Sequence, residues 1–249
     1  MEQWKLISVQ EVDSTNSVLK TMEDAPHGTV LCAQRQSGGR GRLGRSFSSP
    51  EGGLYLSVLL RRGEPLAELL HLTPMAAVAV RRAILDACAV DTQIKWINDL
   101  YKDGRKVCGI LTEVAPQGGV ILGIGINCNI PAFPPELRQI AGSLHEFCGA
   151  VDQEALLHRL IQGLQELDRE LFSSKKVWME EYAAHCLTLN REVLLIRGEE
   201  QSKAFALSLD ENGALLVRLP DGTTETVTTG EVSVRPQSIG CYNVRSKQF

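Results

Sequence analysis

No pair of cysteines in this 249-residue chain has Cys-x-x-Cys spacing, and the total of seven is odd, so neither a disulfide framework nor a zinc site is indicated. Cys32, Cys88, Cys108 and Cys128 fall in apolar stretches, where a thiol behaves as a small hydrophobe. Cys88, Cys108, Cys128 and Cys148 recur every twenty residues, but no sequence repeat accompanies them and the spacing reads as chance. No apolar run approaches the roughly 20 residues that a membrane span needs. The N-terminus, Met-Glu-Gln-Trp-Lys, lacks the charged-then-apolar pattern of a secretion signal. A cytoplasmic protein with no membrane contact is expected. Between Asp24 and Glu51 there is no acidic residue at all.

Inside that acid-free stretch lies Gly38-Gly39-Arg40-Gly41-Arg42-Leu43-Gly44-Arg45. Glycine lets backbone approach a ligand closely, and each arginine offers a fixed charge in a planar fork that matches carboxylate or phosphate oxygens. Such a loop suits an anion. It also suits a disordered nucleic-acid binder, but the net charge of −4 makes the whole molecule a poor polyanion partner. With 43% hydrophobic and 22% charged residues the chain can bury a sizeable core.

Periodicity supplies the frame. Residues Leu6 to Val12 read as a strand running into Asp13-Ser14-Thr15, side chains suited to capping a following helix. Thr29 to Ala33 and Leu54 to Leu60 are β-rich runs flanking the arginine loop, which should join two strands of one sheet. Leu66 to Val90 fits a buried helix starting near Thr73-Pro74, and Gln93 to Ile97, Val107 to Val114 and Gly119 to Ile126 fit three more strands. Gln153 to Phe172 carries leucines every three or four positions, an amphipathic helix, and Trp178 to His185 a short one. After Leu189 come five short β-rich segments, 192–197, 204–209, 214–219, 223–229 and 231–235, with hairpin turns at Asn212-Gly213 and Asp221-Gly222. The expected class is α+β, a mixed or antiparallel sheet with helices over residues 1–189, then a small barrel over 190–249.

Four blocks stand in order: Asp13-Ser14-Thr15-Asn16, the arginine loop, Lys95-Trp96-Ile97-Asn98-Asp99 with Gly104-Arg105-Lys106-Val107-Cys108-Gly109, and Gly123-Ile124-Gly125-Ile126-Asn127. In that order they resemble the catalytic region of biotin-protein ligases, over about residues 6 to 235. The resemblance implies a class II synthetase-like catalytic domain and an SH3-like C-terminal β-barrel. It also implies a ligase that converts biotin and ATP to biotinyl-adenylate and passes biotin to a lysine of a biotin carboxyl carrier protein. Some relatives carry an additional N-terminal DNA-binding domain and act as repressors. Here the Ser-Thr-Asn block begins at residue 14, so no such domain, no DNA binding and no repressor activity are expected.

By resemblance, Ser14, Thr15, Asn16 and Gln36 meet the neutral ureido ring of biotin. Gly39, Arg40, Gly41 and Arg42 fold over its carboxylate and the phosphates, and Lys106 bridges the carboxylate to the α-phosphate. Two anions must meet for adenylation, a repulsion on the order of 4 kcal/mol at 4 Å and an effective dielectric near 20, so cations are required there. The catalytic set is thus Lys106, Arg42 and Asp99. Arg40, Arg42, Phe47, Asn98 and Asn127 fall to the nucleotide, and Asp99 to Mg2+ or to the incoming lysine as orienter and base. The same hydroxyl of Ser14 or Thr15 could cap the helix and line the pocket, and for Asn16 the structural and binding readings are evenly matched. Ile97 stands where the family usually has proline, which removes a φ restraint beside Asn98 and Asp99. Trp96 is read as core. The loop from Gly39 to Arg45 is expected to be mobile without ligand and to order around it. A lipoate or octanoate ligase or transferase on the same fold is the nearest rival; a homodimer through sheet edges is left open.

Overall fold

A computed structural model describes residues 4–116, 118–228 and 233–236. The chain forms two compact units. Among the described residues, one runs to Leu187 and takes in Glu211–Gly213, and the other comprises Thr188–Asp210 and those from Ala214 onward.

The first unit is built on a seven-stranded mixed sheet. Its strands are β1 (Lys5–Val12), β2 (Thr29–Gln36), β3 (Gly53–Leu60), β4 (Gln93–Lys95), β5 (Asp99–Lys102), β6 (Arg105–Val114) and β7 (Val120–Asn127). They lie in the order β1-β2-β3-β7-β6-β5-β4. Only β1 and β2 pair in parallel, through the crossover helix α1 (Thr15–Thr21), and every other neighbour is antiparallel. The arginine loop does join two adjacent strands, β2 and β3, so its ends stand on a rigid ladder.

Helix α2 (Leu72–Cys88) is buried along most of its length, as its Ala, Val and Met content requires, and it lies on β4, β5 and β6. Pro74 sits in its first turn, where a missing N–H costs nothing. Two further helices follow the sheet, α3 (His145–Cys148) and α4 (Gln153–Glu170). Asp152 caps α4, its carboxylate accepting from the N–H groups of Glu154 and Ala155. The buried stripe Leu156, Leu160, Leu164 and Leu167 seats α4 against α2, where Gly163 lies over Ala79. Helix α5 (Lys175–Ala184) begins three residues before the expected Trp178.

The second unit is an antiparallel five-stranded sheet of β8 (Arg191–Arg197), β9 (Glu200–Leu209), β10 (Leu215–Arg218), β11 (Thr224–Val227) and β12 (Ser233–Pro236). Strands β8 to β11 form a meander and β12 returns beside β8. Val193 and Leu195, Ala204 and Ala206, and Leu215 and Val217 are buried at alternate positions, the period-two signature of one buried face. The expected segments 223–229 and 231–235 fall partly on 229–232, outside the described residues.

Two expectations change. The sequence reading has no strand between Ile97 and Val107, yet Asp99 opens β5, a hairpin partner of β4 that pairs Lys95 with Asp99. Ser14 occupies the N-cap position of α1 with extended backbone, yet its side chain makes no capping bond. The helix start is served from the sheet instead. Gln36, at the end of β2, accepts from the Thr15 N–H with Oε1 at 2.8 Å, satisfying a first-turn donor that the helix cannot.

Candidate active site

An irregularity in one ladder builds the catalytic corner. Between β5 and β6, Asp99 pairs with Gly109 and Leu100 with Cys108, but Tyr101 then pairs with Lys106, so Val107 has no partner. One extra residue reverses which face the following side chains occupy. Lys106 therefore shares a face with Gly109 and with Asp99, and its Nζ lies 2.7 Å from Asp99 Oδ1. Both side chains are largely enclosed, at 28% and 20% exposure, which strengthens their attraction relative to a surface pair. The Lys106 backbone is held from the other side, its N–H donating to Ile140 and its carbonyl accepting from Gly142.

Glycine makes the floor. Gly109 and Gly125 face each other across β6 and β7, and the Phe47 ring and the Lys106 stem rest where their side chains would be. A Cβ on Gly125 would lie 2.6 Å from Phe47 Cε1, and one on Gly109 3.0 Å from Lys106 Nζ. Phe47 also meets Tyr55 edge-on at 6.5 Å, and its ring centroid is 5.5 Å from Lys106 Nζ. Gln36, Gly39, Phe47, Lys106 and Asn127 line one cavity of about 800 Å3. Asn127 is buried; its Nδ2 donates to the carbonyls of Gly142 at 3.0 Å and Lys106 at 3.3 Å, and its Oδ1 has no partner among the described residues.

The arginines divide. Arg42 Nη1 donates to Asn98 Oδ1 at 3.2 Å, and Asn98 in turn donates to the Ile110 carbonyl at 2.7 Å, so Asn98 ties the loop to β6. Burial pulls the Arg42 guanidinium down from its ordinary value while the nearby Asp99 carboxylate opposes that. Arg40, Gly41 and Arg42 line a second, smaller cavity of about 440 Å3 together with Leu111 and Glu113, rather than the one containing Lys106. Gly39 is a required glycine, since a Cβ would meet the Phe47 carbonyl at 2.3 Å. Leu43 and Gly44 adopt positive φ in a single 3-10 turn, and Arg40 bridges to Ser46.

Residues 8–130 match the profile of the Biotin/lipoate A/B protein ligase family, and residues 188–235 that of the biotin protein ligase C-terminal domain. Bifunctional ligase/repressor BirA of Bacillus subtilis is 36% identical over 227 residues, covering 84% of this chain and 69% of that protein. The biotin--[acetyl-CoA-carboxylase] ligase of Paracoccus denitrificans is 31% identical, covering 84% of this chain and 92% of that one. This chain belongs to the biotin protein ligase family. The structure of biotin protein ligase from Aquifex aeolicus in complex with biotin and ATP superposes with a TM-score of 0.84 at 33% identity, covering 94% of this chain and 99% of that one.

Within this biotin ligase fold the Ser-Thr-Asn block does not line either cavity. Ser14, Thr15 and Asn16 are all buried, and Thr15 reaches the larger cavity only through Gln36. Asn16 is consumed by protein contacts: Nδ2 donates to Glu113 Oε2 at 2.8 Å, and Oδ1 lies 2.5 Å from Ser57 Oγ. Glu113 also holds Lys20 at 2.6 Å. Burial pushes the Glu113 carboxyl up, but the hydrogen bonds from Lys20 and Asn16 and the charges of Lys20 and Arg40 outweigh it and hold it below its ordinary value. Sequence reading missed Ser57, Glu113, Gly109 and Gly125 as parts of this site. Trp96 is buried, as read, and the Trp96–Ile97 peptide is cis.

Proposed function

We propose that this enzyme activates biotin with ATP as biotinyl-adenylate and transfers the biotinyl group to a lysine of a biotin carboxyl carrier protein. The observation that carries the reading is the Lys106–Asp99 pair standing on a glycine floor beside the arginine loop, at the edge of a cavity with room for a nucleotide and an acid. The biotin carboxylate attacks the α-phosphorus, an O–P bond forms, and pyrophosphate leaves. Lys106, together with Arg40 and Arg42 once the loop turns onto the anions, offsets the charge that accumulates as the two anions meet. In the second step the carrier lysine attacks the acyl carbon, the C–O bond to AMP breaks, and the ammonium proton must be removed.

Asp99, whose Oδ1 lies 2.7 Å from Lys106 Nζ, would accept or orient that proton. Asn127 Oδ1, on the cavity wall, is a buried acceptor without a partner among the described residues, suited to an exocyclic amine such as that of adenine. Phe47 supplies an aromatic face in the same cavity. Among the described residues no cluster of three His, Cys, Asp or Glu side chains could hold a metal by itself. Mg2+ commonly needs only one or two carboxylates with substrate phosphates, so Asp99 fits an ion carried in on ATP, which would neutralise phosphate charge.

The test is transfer to an apo carrier domain, followed by intact mass, with biotin, lipoate and octanoate in parallel with ATP. Mass gain with biotin alone, on the carrier lysine, supports the reading. Gain with lipoate or octanoate instead would move the enzyme to the other branch of the family.

A further inference from the structure

The loop that leads into Asp99 contains no proline, and the strands that carry it are short. Strands β4 and β5 share three pairs, Gln93 with Tyr101, Ile94 with Leu100 and Lys95 with Asp99. Trp96, Ile97 and Asn98 connect them, and the shape of so short a hairpin rests on what its side chains grip. One end grips the sheet: Asn98 donates from Nδ2 to the Ile110 carbonyl at 2.7 Å, and its own carbonyl accepts from the Ile110 N–H at 2.9 Å. The other end grips a turn 117 residues further along the chain, where the buried Trp96 donates its indole N–H to the Gly213 carbonyl at 2.8 Å. That turn, Glu211–Gly213, belongs to the first unit and is itself held firmly. Lys175 on α5 donates to Asn212 Oδ1 at 2.7 Å. Gly213 stands at φ +84° against the first turn of α2, where a Cβ would lie 2.6 Å from Pro74 Cγ. Its carbonyl is thus presented at a fixed point, and a buried acceptor that loses its donor is costly.

We propose that Trp96 is a positioning residue, and that the Glu211–Gly213 turn, through the indole hydrogen bond, sets where Asp99 stands when the biotinyl group is transferred. Trp96 lines neither of the two cavities described above. Asp99 follows it at the far end of the connection, opposite Lys95, so a swing of the loop carries the carboxylate with it. Such a swing changes its 2.7 Å approach to Lys106 Nζ and its distance from the amine that must lose a proton. Misplacement on that scale is costly to a step that depends on orientation. The inference rests on the reading of Asp99 given above and adds to it the residue and the turn that aim the carboxylate.

The experiment follows single-turnover transfer from ready-made biotinyl-adenylate to an apo carrier domain, in the full-length wild-type chain, Trp96→Phe, Asp99→Asn and the double variant. Phenylalanine keeps an apolar ring and loses the N–H. Trp96→Phe should slow transfer about tenfold or more in the wild-type background. Added to Asp99→Asn it should cost less than about twofold, because two residues that act as a unit are not additive. A merely structural role would cost the same in both backgrounds, and that result overturns the proposal, as does a wild-type rate in Trp96→Phe. Circular dichroism establishes folding. Should Trp96→Phe fail to fold, Lys175→Met, which releases the same turn at Asn212, goes through the same cycle and must show a loss that likewise disappears in Asp99→Asn. A loss that persists there overturns the proposal. Asp99→Asn transferring at the full rate overturns both this inference and the role given to Asp99. A wild-type chain that transfers nothing overturns the biotin reading with it, and the wild-type trace alone identifies that case.

Discussion

Lys106 meets Asp99 at 2.7 Å because Val107 is one residue too many for the ladder it occupies. Regular pairing would put Lys106 and Gly109 on opposite faces; the bulge brings them to one. The ammonium is thereby fixed at a point, between Asp99 and the Gly109 floor, where a Cβ would leave only 3.0 Å. A larger cation should not fit there. Lys106→Arg keeps the charge but replaces a compact ammonium with a planar fork. It should retain less than about a tenth of the adenylation rate, a loss of about 1.4 kcal/mol or more in transition-state stabilisation. Steady-state pyrophosphate exchange measures it, and wild-type activity in Lys106→Arg would show that charge alone suffices.

Gly125→Ala tests the floor. Its methyl would lie 2.6 Å from Phe47 Cε1, so the ring must move. If Phe47 faces the nucleotide, KM for ATP should rise roughly tenfold, about 1.4 kcal/mol, with a smaller change in KM for biotin. Comparing the two KM values under saturating co-substrate decides it; equal changes in both would mean that the ring serves neither ligand specifically.

Most of the frame was legible because it is written in runs: the β-rich segments before and after the arginine loop are β2 and β3, and the leucine stripe of α4 is where periodicity puts it. The site residues that resisted reading are those whose meaning depends on a cross-strand neighbour. Ser57 is one hydroxyl inside the apolar run Leu54 to Leu60, and only its register opposite Gly123 brings it under α1. Gly109 and Gly125 fall inside expected strands, and only their pairing across β6 and β7 shows that together they form a floor. Strand β5 escaped because Asp99 to Lys102 is short and polar, and the helix cap was misassigned because Gln36 arrives from twenty-one residues away.

Glu113 gives a pH prediction. Its carboxyl is held below the ordinary value of 4.5 in the folded protein, so it contributes stability that is fully present above that value and is lost as pH falls through the lower, folded one. Glu113→Gln should therefore lower the urea midpoint at pH 7, and the difference from wild type should shrink between about pH 5 and pH 3. A difference that persists unchanged at low pH would mean that the charge of Glu113 is not what stabilises.

The thiols should sort by burial. Cys148 is exposed, whereas burial pushes Cys32 up to about 11 and Cys128 up to about 12, and raises the fully enclosed Cys108 further still. Only a thiolate attacks an alkylating agent. Iodoacetamide at neutral pH should label Cys148 in the native protein and leave Cys32, Cys108 and Cys128 until it is unfolded, as peptide mapping would show. Rapid native labelling of Cys108 would contradict the packing of β6 against β7.

Biotin-dependent exchange of pyrophosphate into ATP, run on the wild-type chain and on Lys106→Ala, addresses the central claim without needing the carrier. The account predicts exchange with biotin, none with lipoate or octanoate, and a fall of about a hundredfold or more in Lys106→Ala, the usual cost of removing a group that stabilises transition-state charge. Exchange that proceeds undiminished in Lys106→Ala, or that never responds to biotin, would contradict it.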